Sequence, residues 1–315
     1  MLEHGICRPS KSPCASPLHM VTQNNSDWRP AVDYRSLNCI TRPDKYPLPN
    51  LQDFTQNLAG NRIFSKIDLV RACNQIPVFE PDIEKTAVIT PFGLFEFVYI
   101  PYCLCNNPQT FQRFIHEVLF GLDFCFAYLD DVLLASKSED DYLQHLKTIF
   151  ERLSKFGPTI IVTKCVFGKP DVSFLGHLVD AFGCKPLPDK VDVIVNYPKP
   201  RTVKDLQRFF GCENFYRRFI PHAADLHAPL NDLLRGRKKN DNSVINWTPN
   251  LDECFQKCKQ ATVNVTQLAH PEPDCKLALF TDARDFAVAG ALHKVTSEGY
   301  VPLSFFSKKL NNAQC

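Results

Sequence analysis

The chain has 315 residues, 44% hydrophobic and 22% charged, which leaves room for two or three cores and excludes a disordered tail. A formal net charge of +2 is close to neutral, so total charge decides nothing about nucleic acid or membrane partners, and the distribution of charge must be read instead. The first residues, "MLEHGICRPSKSP", lack the charged-then-apolar order of a secretory signal, and no apolar run approaches the roughly 18 residues of a membrane helix, so no membrane partner is expected. Fourteen cysteines are present without a CxxC pair. Cys103/Cys105 and Cys254/Cys258 lack the usual zinc-ligand spacings, so the thiols read as scattered and reduced, as in an intracellular protein.

Residues 1–50 are punctuated by proline and predict extended segments in place of long helices. "RIFSKIDLV" (62–70) and "TAVITPFGLFEFVYI" (86–100) are rich in β-branched and aromatic residues and predict strands. "NPQTFQRFIHEVLFG" predicts a helix, with Pro108 near its start and Gly121 at its end. "FCFAYLDDVLLAS" (124–136) then reads as strand, turn, strand. "SEDDYLQHLKTIFERLSKFG" places Leu143, Leu146, Ile149, Phe150, Leu153 and Phe156 at helical spacing, with Ser138 as cap and Gly157 as stop. "VSFLGHLVDAFGCKP" reads as a hairpin, and Thr202 with Asp205 repeats the capping pattern ahead of "VKDLQRFFG". Helical pieces run to about Leu234, "RGRKKNDNS" is a polar linker, and a helix is expected around 249–262. "KLALFTDARDFAVAGALHKV" and "YVPLSFFS" predict three further strands. The irregular mixture is an α+β architecture in several pieces.

Asp130 and Asp131 are adjacent carboxylates between two apolar strands. Taken alone, such a pair is most often a solvated turn, because Asp tolerates turn geometry. Asp68 ends another apolar strand, "FSKID", that could lie in the same sheet. Three clustered carboxylates raise one another's pKa unless a cation balances them. Hard oxygen donors without His or Cys favour magnesium or manganese over zinc. Two such ions suit phosphoryl or nucleotidyl transfer. Residues 199–239 carry ten Lys/Arg against four acids, interleaved with Phe209, Phe210, Phe215, Tyr216 and Phe219. That stretch is either one charged face of a helical domain or, beside a metal site, a grip on a phosphate backbone.

"FSKIDL", "TAVITPFGLFEF", "NPQTFQRF", "YLDD", "KCVFG", "FLGH", "LQRFFG" and "NFYRRFIP" together resemble, in order and spacing, gypsy-type LTR retrotransposon polyproteins. The matching segment is the reverse transcriptase running into the start of RNase H. The resemblance implies a right-hand polymerase, with fingers and palm over 1–155, primer-grip hairpin and thumb over 156–238, a connection over 239–274 and a truncated RNase H-like fragment over 275–315. It implies that Asp68, Asp130 and Asp131 hold two Mg2+ (or Mn2+) ions for attack of a primer 3′-hydroxyl on a dNTP, along an RNA or DNA template. Nucleotide contacts carried over by resemblance are Arg29, Cys73, Tyr102, Cys103 and Gln112. Primer or template contacts are Asp33, Arg35, Pro108, Phe174, Leu175, Gly176 and His177. The implied location is the cytoplasm or a virus-like particle, and oligomeric state is left open.

Departures from the family pattern cluster around the expected nucleotide pocket. "LVRACNQIP" puts Cys73 where the family carries the aromatic beneath the sugar, and "IPYCL" puts Cys103 where it carries glycine. "TQNNSDW" lacks the two fingers lysines, Cys14 replaces a tryptophan, and Glu213 occupies a usually apolar thumb position. In "FTDARD", Asp282 is either a strand-end turn residue or a vestige of the first RNase H metal ligand. The chain ends before further acidic ligands, so RNase H activity is not expected, and the sequence resembles a piece of a decayed element copy. Beside the polymerase stand two other readings: a degenerate polymerase fold that binds nucleic acid without catalysis, and a metal-dependent nuclease.

Overall fold

In a computed structural model of the chain, residues 1–22, 28–50, 53–70, 72–284 and 287–310 are described, apart from the side chains of Arg29 and Ala72. The lysine-poor fingers stretch 23–27 lies outside them. The described chain divides into two compact units, one of Met1–Asp53 with Ile63–Lys169 and one of Phe54–Arg62 with Pro170–Cys315.

The first unit opens with strands β1 (Cys7–Pro9), β2 (Ser16–Thr22) and β3 (Trp28–Val32) and a short helix α1 (Arg35–Ile40), as the prolines suggested. Next come β4 (Ile63–Asp68), a single turn α2 (Glu80–Ile83), the hairpin β5 (Val88–Thr90) and β6 (Gly93–Phe97), and helix α3 (Asn107–Val118). The hairpin β7 (Cys125–Tyr128) and β8 (Asp131–Ser136), helix α4 (Glu139–Phe156) and strand β9 (Val166–Lys169) complete it. One sheet has the order β1-β6-β5-β2-β3 and the other β7-β8-β4-β9. The second sheet presents Ile67, Val132 and Leu134 to Phe111, Ile115 and Val118 of α3 and to Ile149 and Leu153 of α4. Each such buried side chain contributes roughly 1.5–3 kcal/mol. That core holds the β7–β8 turn against a rigid backing.

Helix α4 starts where the cap pattern placed it: Ser138 Oγ accepts from the Asp141 amide at 3.2 Å. It stops at Gly157, whose φ of +92° suits the left-handed conformation that glycine adopts freely.

The second unit contains β10 (Asp171–Phe174), β11 (His177–Asp180) and β12 (Cys184–Pro186) as one antiparallel sheet. Four helices follow, α5 (Pro188–Val195), α6 (Val203–Glu213), α7 (Ala223–Asp232) and α8 (Pro249–Val263). The expected capping box of Thr202 and Asp205 heads α6. Strands β13 (Leu277–Arg284), β14 (Ala287–Thr296) and β15 (Gly299–Lys309) form the last antiparallel sheet.

The first compact unit runs to Lys169, because β9 pairs with β4, with Lys66 opposite Val166 and Phe64 opposite Lys169. The aromatics interleaved with the basic stretch are mostly core: Phe209, Phe210, Tyr216 and Phe219 are buried, and only Phe215 is exposed. Several cations there are also occupied within their own unit. Arg217 donates to Ser307 O at 3.0 Å, Arg218 to Cys184 Sγ at 3.0 Å, and Lys199 lies over the Trp247 ring. The stretch is first of all a helical core with a charged outer face. No described helix is long and apolar enough to cross a membrane.

Candidate active site

Strands β4 and β8 pair antiparallel in a register that sets Asp68 directly opposite Asp131. Opposed residues of such a pair project to the same face, so the two carboxylates are neighbours at one end of the sheet. Asp130 sits in the β7–β8 turn, and its backbone carbonyl accepts from the Leu69 amide at 3.0 Å, tying that turn to the end of β4. Leu129, also in the turn, has a φ of +50°, unusual for a branched side chain and held by its surroundings.

Gln112 supplies part of that hold. It is fully buried in α3, its Oε1 accepts from the Leu129 amide at 2.9 Å, and its Nε2 donates to Ala127 O at 2.9 Å. The fixed Leu129 N–H sets the amide's orientation and turns Nε2 toward His116 Nε2, 2.7 Å away. His116 must accept there, which puts its proton on Nδ1 for Tyr46 Oη at 2.9 Å. Burial lowers the His116 pKa and favours this neutral form. The polar groups of Gln112 are thus engaged in positioning the turn.

Lys66 completes the electrostatics, with Nζ 3.0 Å from Asp131 Oδ1. Sequence reasoning missed it. The available signal was its place two residues before Asp68, which puts both on one face of β4. The three carboxylates are hard oxygen donors and fit magnesium or manganese, and no soft ligand is needed to complete the set. Lys66 offsets part of their mutual repulsion when no cation is bound.

Cys73 is buried in the core beneath the sheet, and burial, followed by the nearby Asp130 charge, pushes its thiol up to about 11. Asn107, at the start of α3 beside Pro108, also reaches it. Cys103 is exposed and adopts φ +75°, the left-handed conformation expected of the glycine it replaces. Its carbonyl accepts from Asn38 Nδ2 at 2.9 Å, and Asn38 Oδ1 accepts from the Cys105 amide at 2.9 Å, so α1 clamps the loop that also carries half-buried Tyr102. Asp33 and Arg35 engage each other: Nη2 donates to Oδ2 at 2.6 Å, and this guanidinium holds the Asp33 carboxyl down to about 2. The side chain of Arg29 lies outside those described.

Phe174, Leu175, Gly176 and His177 belong to the second unit. Leu175 (φ +46°) and Gly176 (φ +81°) form the β10–β11 turn in the primed geometry that suits two-residue hairpins. A Cβ on Gly176 would meet the Phe215 ring and Tyr216 Oη at 3.2 Å, and Tyr216 Oη donates to the Gly176 carbonyl at 2.9 Å. Phe174 and His177 are buried, with the Phe174 ring packed in the core of the second unit. On β13, Asp282 lies opposite Ala289 with Arg284 Nε 3.4 Å from its carboxylate.

Opposed carboxylates at the end of an antiparallel sheet, with a third acid in the adjoining turn and two helices behind, are the palm arrangement of template-directed polymerases. Residues 20–179 match the family described as reverse transcriptase (RNA-dependent DNA polymerase), and residues 247–315 match the RNase H-like domain found in reverse transcriptase. The chain belongs to the reverse transcriptase family. It is 36% identical over 319 aligned residues to the retrovirus-related Pol polyprotein from transposon 297 of Drosophila melanogaster, covering 99% of this chain and 29% of that protein. It is 33% identical to the transposon Tf2-3 polyprotein of Schizosaccharomyces pombe, covering 99% of this chain and 23% of that one. The chain thus spans under a third of the curated relatives it matches.

Among solved structures, the foamy viral protease-reverse transcriptase dRH in complex with ds DNA matches with a TM-score of 0.91 at 22% identity, over 99% of this chain and 54% of that one. The foamy viral protease-reverse transcriptase in complex with RNA/DNA hybrid matches with a TM-score of 0.88, over 99% of this chain and 42% of that one. The fold is that of a reverse transcriptase.

Proposed function

We propose that the chain is an RNA-directed DNA polymerase that adds dNTPs to a primer 3′-hydroxyl. The observation that carries the reading is the register pairing of Asp68 with Asp131 beside Asp130 in a turn held by Gln112. Asp68, Asp130 and Asp131 would hold two Mg2+ or Mn2+ ions. Bound there, such ions make the attacking hydroxyl more acidic and stabilise the departing pyrophosphate. The protein's share is positional: α3 and the Gln112 clasp fix the turn, and the core beneath β4 and β8 fixes the separation of the acids. Lys66, paired with Asp131 here, would give up that pairing to a bound cation. Cys73, Tyr102 and Cys103 border the nucleotide, and the backbone of the Leu175–Gly176 turn meets the primer strand. RNase H hydrolysis is not part of this reading, because Asp282 is one carboxylate shared with Arg284. The setting we infer is the cytoplasm or a virus-like particle.

The test is primer extension on poly-rA/oligo-dT with Mg2+ or Mn2+. Extension that Asp130→Asn abolishes supports the polymerase. Tight duplex binding without extension overturns it in favour of a nucleic-acid-binding fold, which the changed residues Cys73 and Cys103 would then explain. Cleavage without dNTPs indicates a nuclease.

A further inference from the structure

Three helices of the second unit converge on a group of donors that nucleotidyl transfer does not use. Glu213 is the last residue of α6, His227 lies within α7 and Cys258 within α8. All three are completely buried. One carboxylate oxygen, one ring nitrogen and the sulfur lie within 4.8 Å of one another.

The polar atoms at this point are poorly satisfied. His227 Nε2 is 3.0 Å from Glu213 Oε1, an ion-pair distance. Yet both carboxylate oxygens and both imidazole nitrogens lack a hydrogen-bond partner of acceptable geometry. A carboxylate out of water without donors is costly, and a pair retained only for its mutual charge normally aligns its hydrogen bond. Lone pairs that converge without a hydrogen between them are what a cation requires.

The donor set also has a chemical preference. Nitrogen, sulfur and a single carboxylate oxygen suit a borderline-soft divalent ion in tetrahedral coordination, unlike the all-oxygen palm cluster. Cys254 lies one helical turn before Cys258 on the same face of α8, is nearly buried, and its Sγ donates to Leu226 O at 2.9 Å. The Cys258 thiol reaches the same carbonyl at 3.6 Å. Reading cysteine spacing along the chain dismissed this pair, because the remaining ligands come from two other helices.

We propose that Glu213, His227 and Cys258, with Cys254 as the fourth donor, form a structural zinc-class cation site that staples α6, α7 and α8 together. Binding replaces each thiol hydrogen with the metal and releases one proton per thiol to solvent. The Leu226 carbonyl, freed of the thiol donors, stays at the edge of the site. The inference does not depend on polymerase activity and applies equally to a catalytically silent fold.

The full chain, stripped with chelator and kept reduced, is titrated with Co2+ alone and then with Zn2+. The expected result is one equivalent of Co2+ with tetrahedral visible bands and a thiolate-to-cobalt charge-transfer band, all displaced by Zn2+. Zn2+ also raises the melting temperature of the wild-type chain by several degrees. Cys258→Ser weakens the charge-transfer band, and Cys258→Ser combined with Cys254→Ser removes it. The double substitution Glu213→Ala with His227→Leu replaces the buried pair by apolar groups, folds without metal, and loses both the bound equivalent and the melting shift. Cobalt held at the palm acids gives no thiolate band, so the two sites are separable. A wild-type chain without that band, or one whose band and zinc-induced melting shift persist in the double variant, overturns the proposal.

Discussion

The Gln112 carboxamide and the Leu129 backbone form one clasp: Oε1 accepts from the Leu129 amide at 2.9 Å while Nε2 donates to Ala127 O on the other arm of the hairpin. One side chain from α3 thereby holds the turn that carries Asp130, in a backbone conformation that leucine rarely adopts.

Gln112→Leu keeps the volume and removes both bonds. The stranded Leu129 N–H costs about 1–3 kcal/mol of stability. The larger effect is on extension, which is expected to fall about 100-fold, because carboxylates displaced by an ångström lose their alignment with the reacting groups. Parallel thermal melts and single-turnover extension at saturating substrate check this. A variant that melts lower yet extends at the wild-type rate removes Gln112 from the positioning role.

Cys103 carries a side chain at φ +75° with its carbonyl fixed by Asn38. Cys103→Gly relieves that conformational cost and is expected to stabilise the chain by up to about 1 kcal/mol, after the greater freedom of glycine in the unfolded chain is subtracted. Urea midpoints of the two proteins measure it. A lower midpoint for the glycine variant shows that the Cys103 side chain makes contacts worth more than the strain.

Much of this architecture was readable from local chemistry. Ser138 and Thr202 announced helix starts because a capping hydroxyl needs only its own next three residues. The strand ending at Asp68 and the hairpin around Asp130 were equally plain from their β-branched and aromatic runs. What stayed hidden was decided by partners distant in sequence. Nothing near Val166 says that it will pair with Lys66, and nothing near Phe209 or Tyr216 distinguishes a stacking platform from a core. The resemblance puts Gln112 at the nucleotide pocket, but its work on the turn needs the chain to have folded. Glu213, His227 and Cys258 share no spacing at all, since each arrives on its own helix.

Cys73 is nearly buried, with Asn107 and Asp130 beside it. If it borders the sugar as the polymerase reading requires, Cys73→Tyr restores an aromatic wall against a 2′-hydroxyl. Preference for dNTP over rNTP in the extension assay should rise at least about tenfold, the scale on which a filled or vacant space discriminates ligands. The tyrosine must also displace part of the core, so a loss of about 1–3 kcal/mol in stability accompanies the gain. Unchanged selectivity in a folded variant places Cys73 away from the sugar.

His177 makes the second unit sensitive to acid. Its ring is ringed by Phe54, Phe215, Tyr216 and Phe219, and its Nδ1–H donates to Leu175 O at 2.9 Å. Burial, with the Arg218 charge adding to it, brings its pKa down to about 4. In the unfolded chain the same imidazole takes a proton near ~6.5. Between these values the unfolded state binds more protons than the folded one, so stability is complete above the unfolded value and falls as pH drops toward the folded one. The loss from this one residue amounts to about 3 kcal/mol. Urea midpoints at pH 7 and pH 4.5 should separate strongly for the wild type and distinctly less for His177→Gln, which begins less stable but has no imidazole to charge. Equal acid sensitivity in the two proteins would assign the effect to the other buried histidines, such as His270, whose pKa burial also lowers.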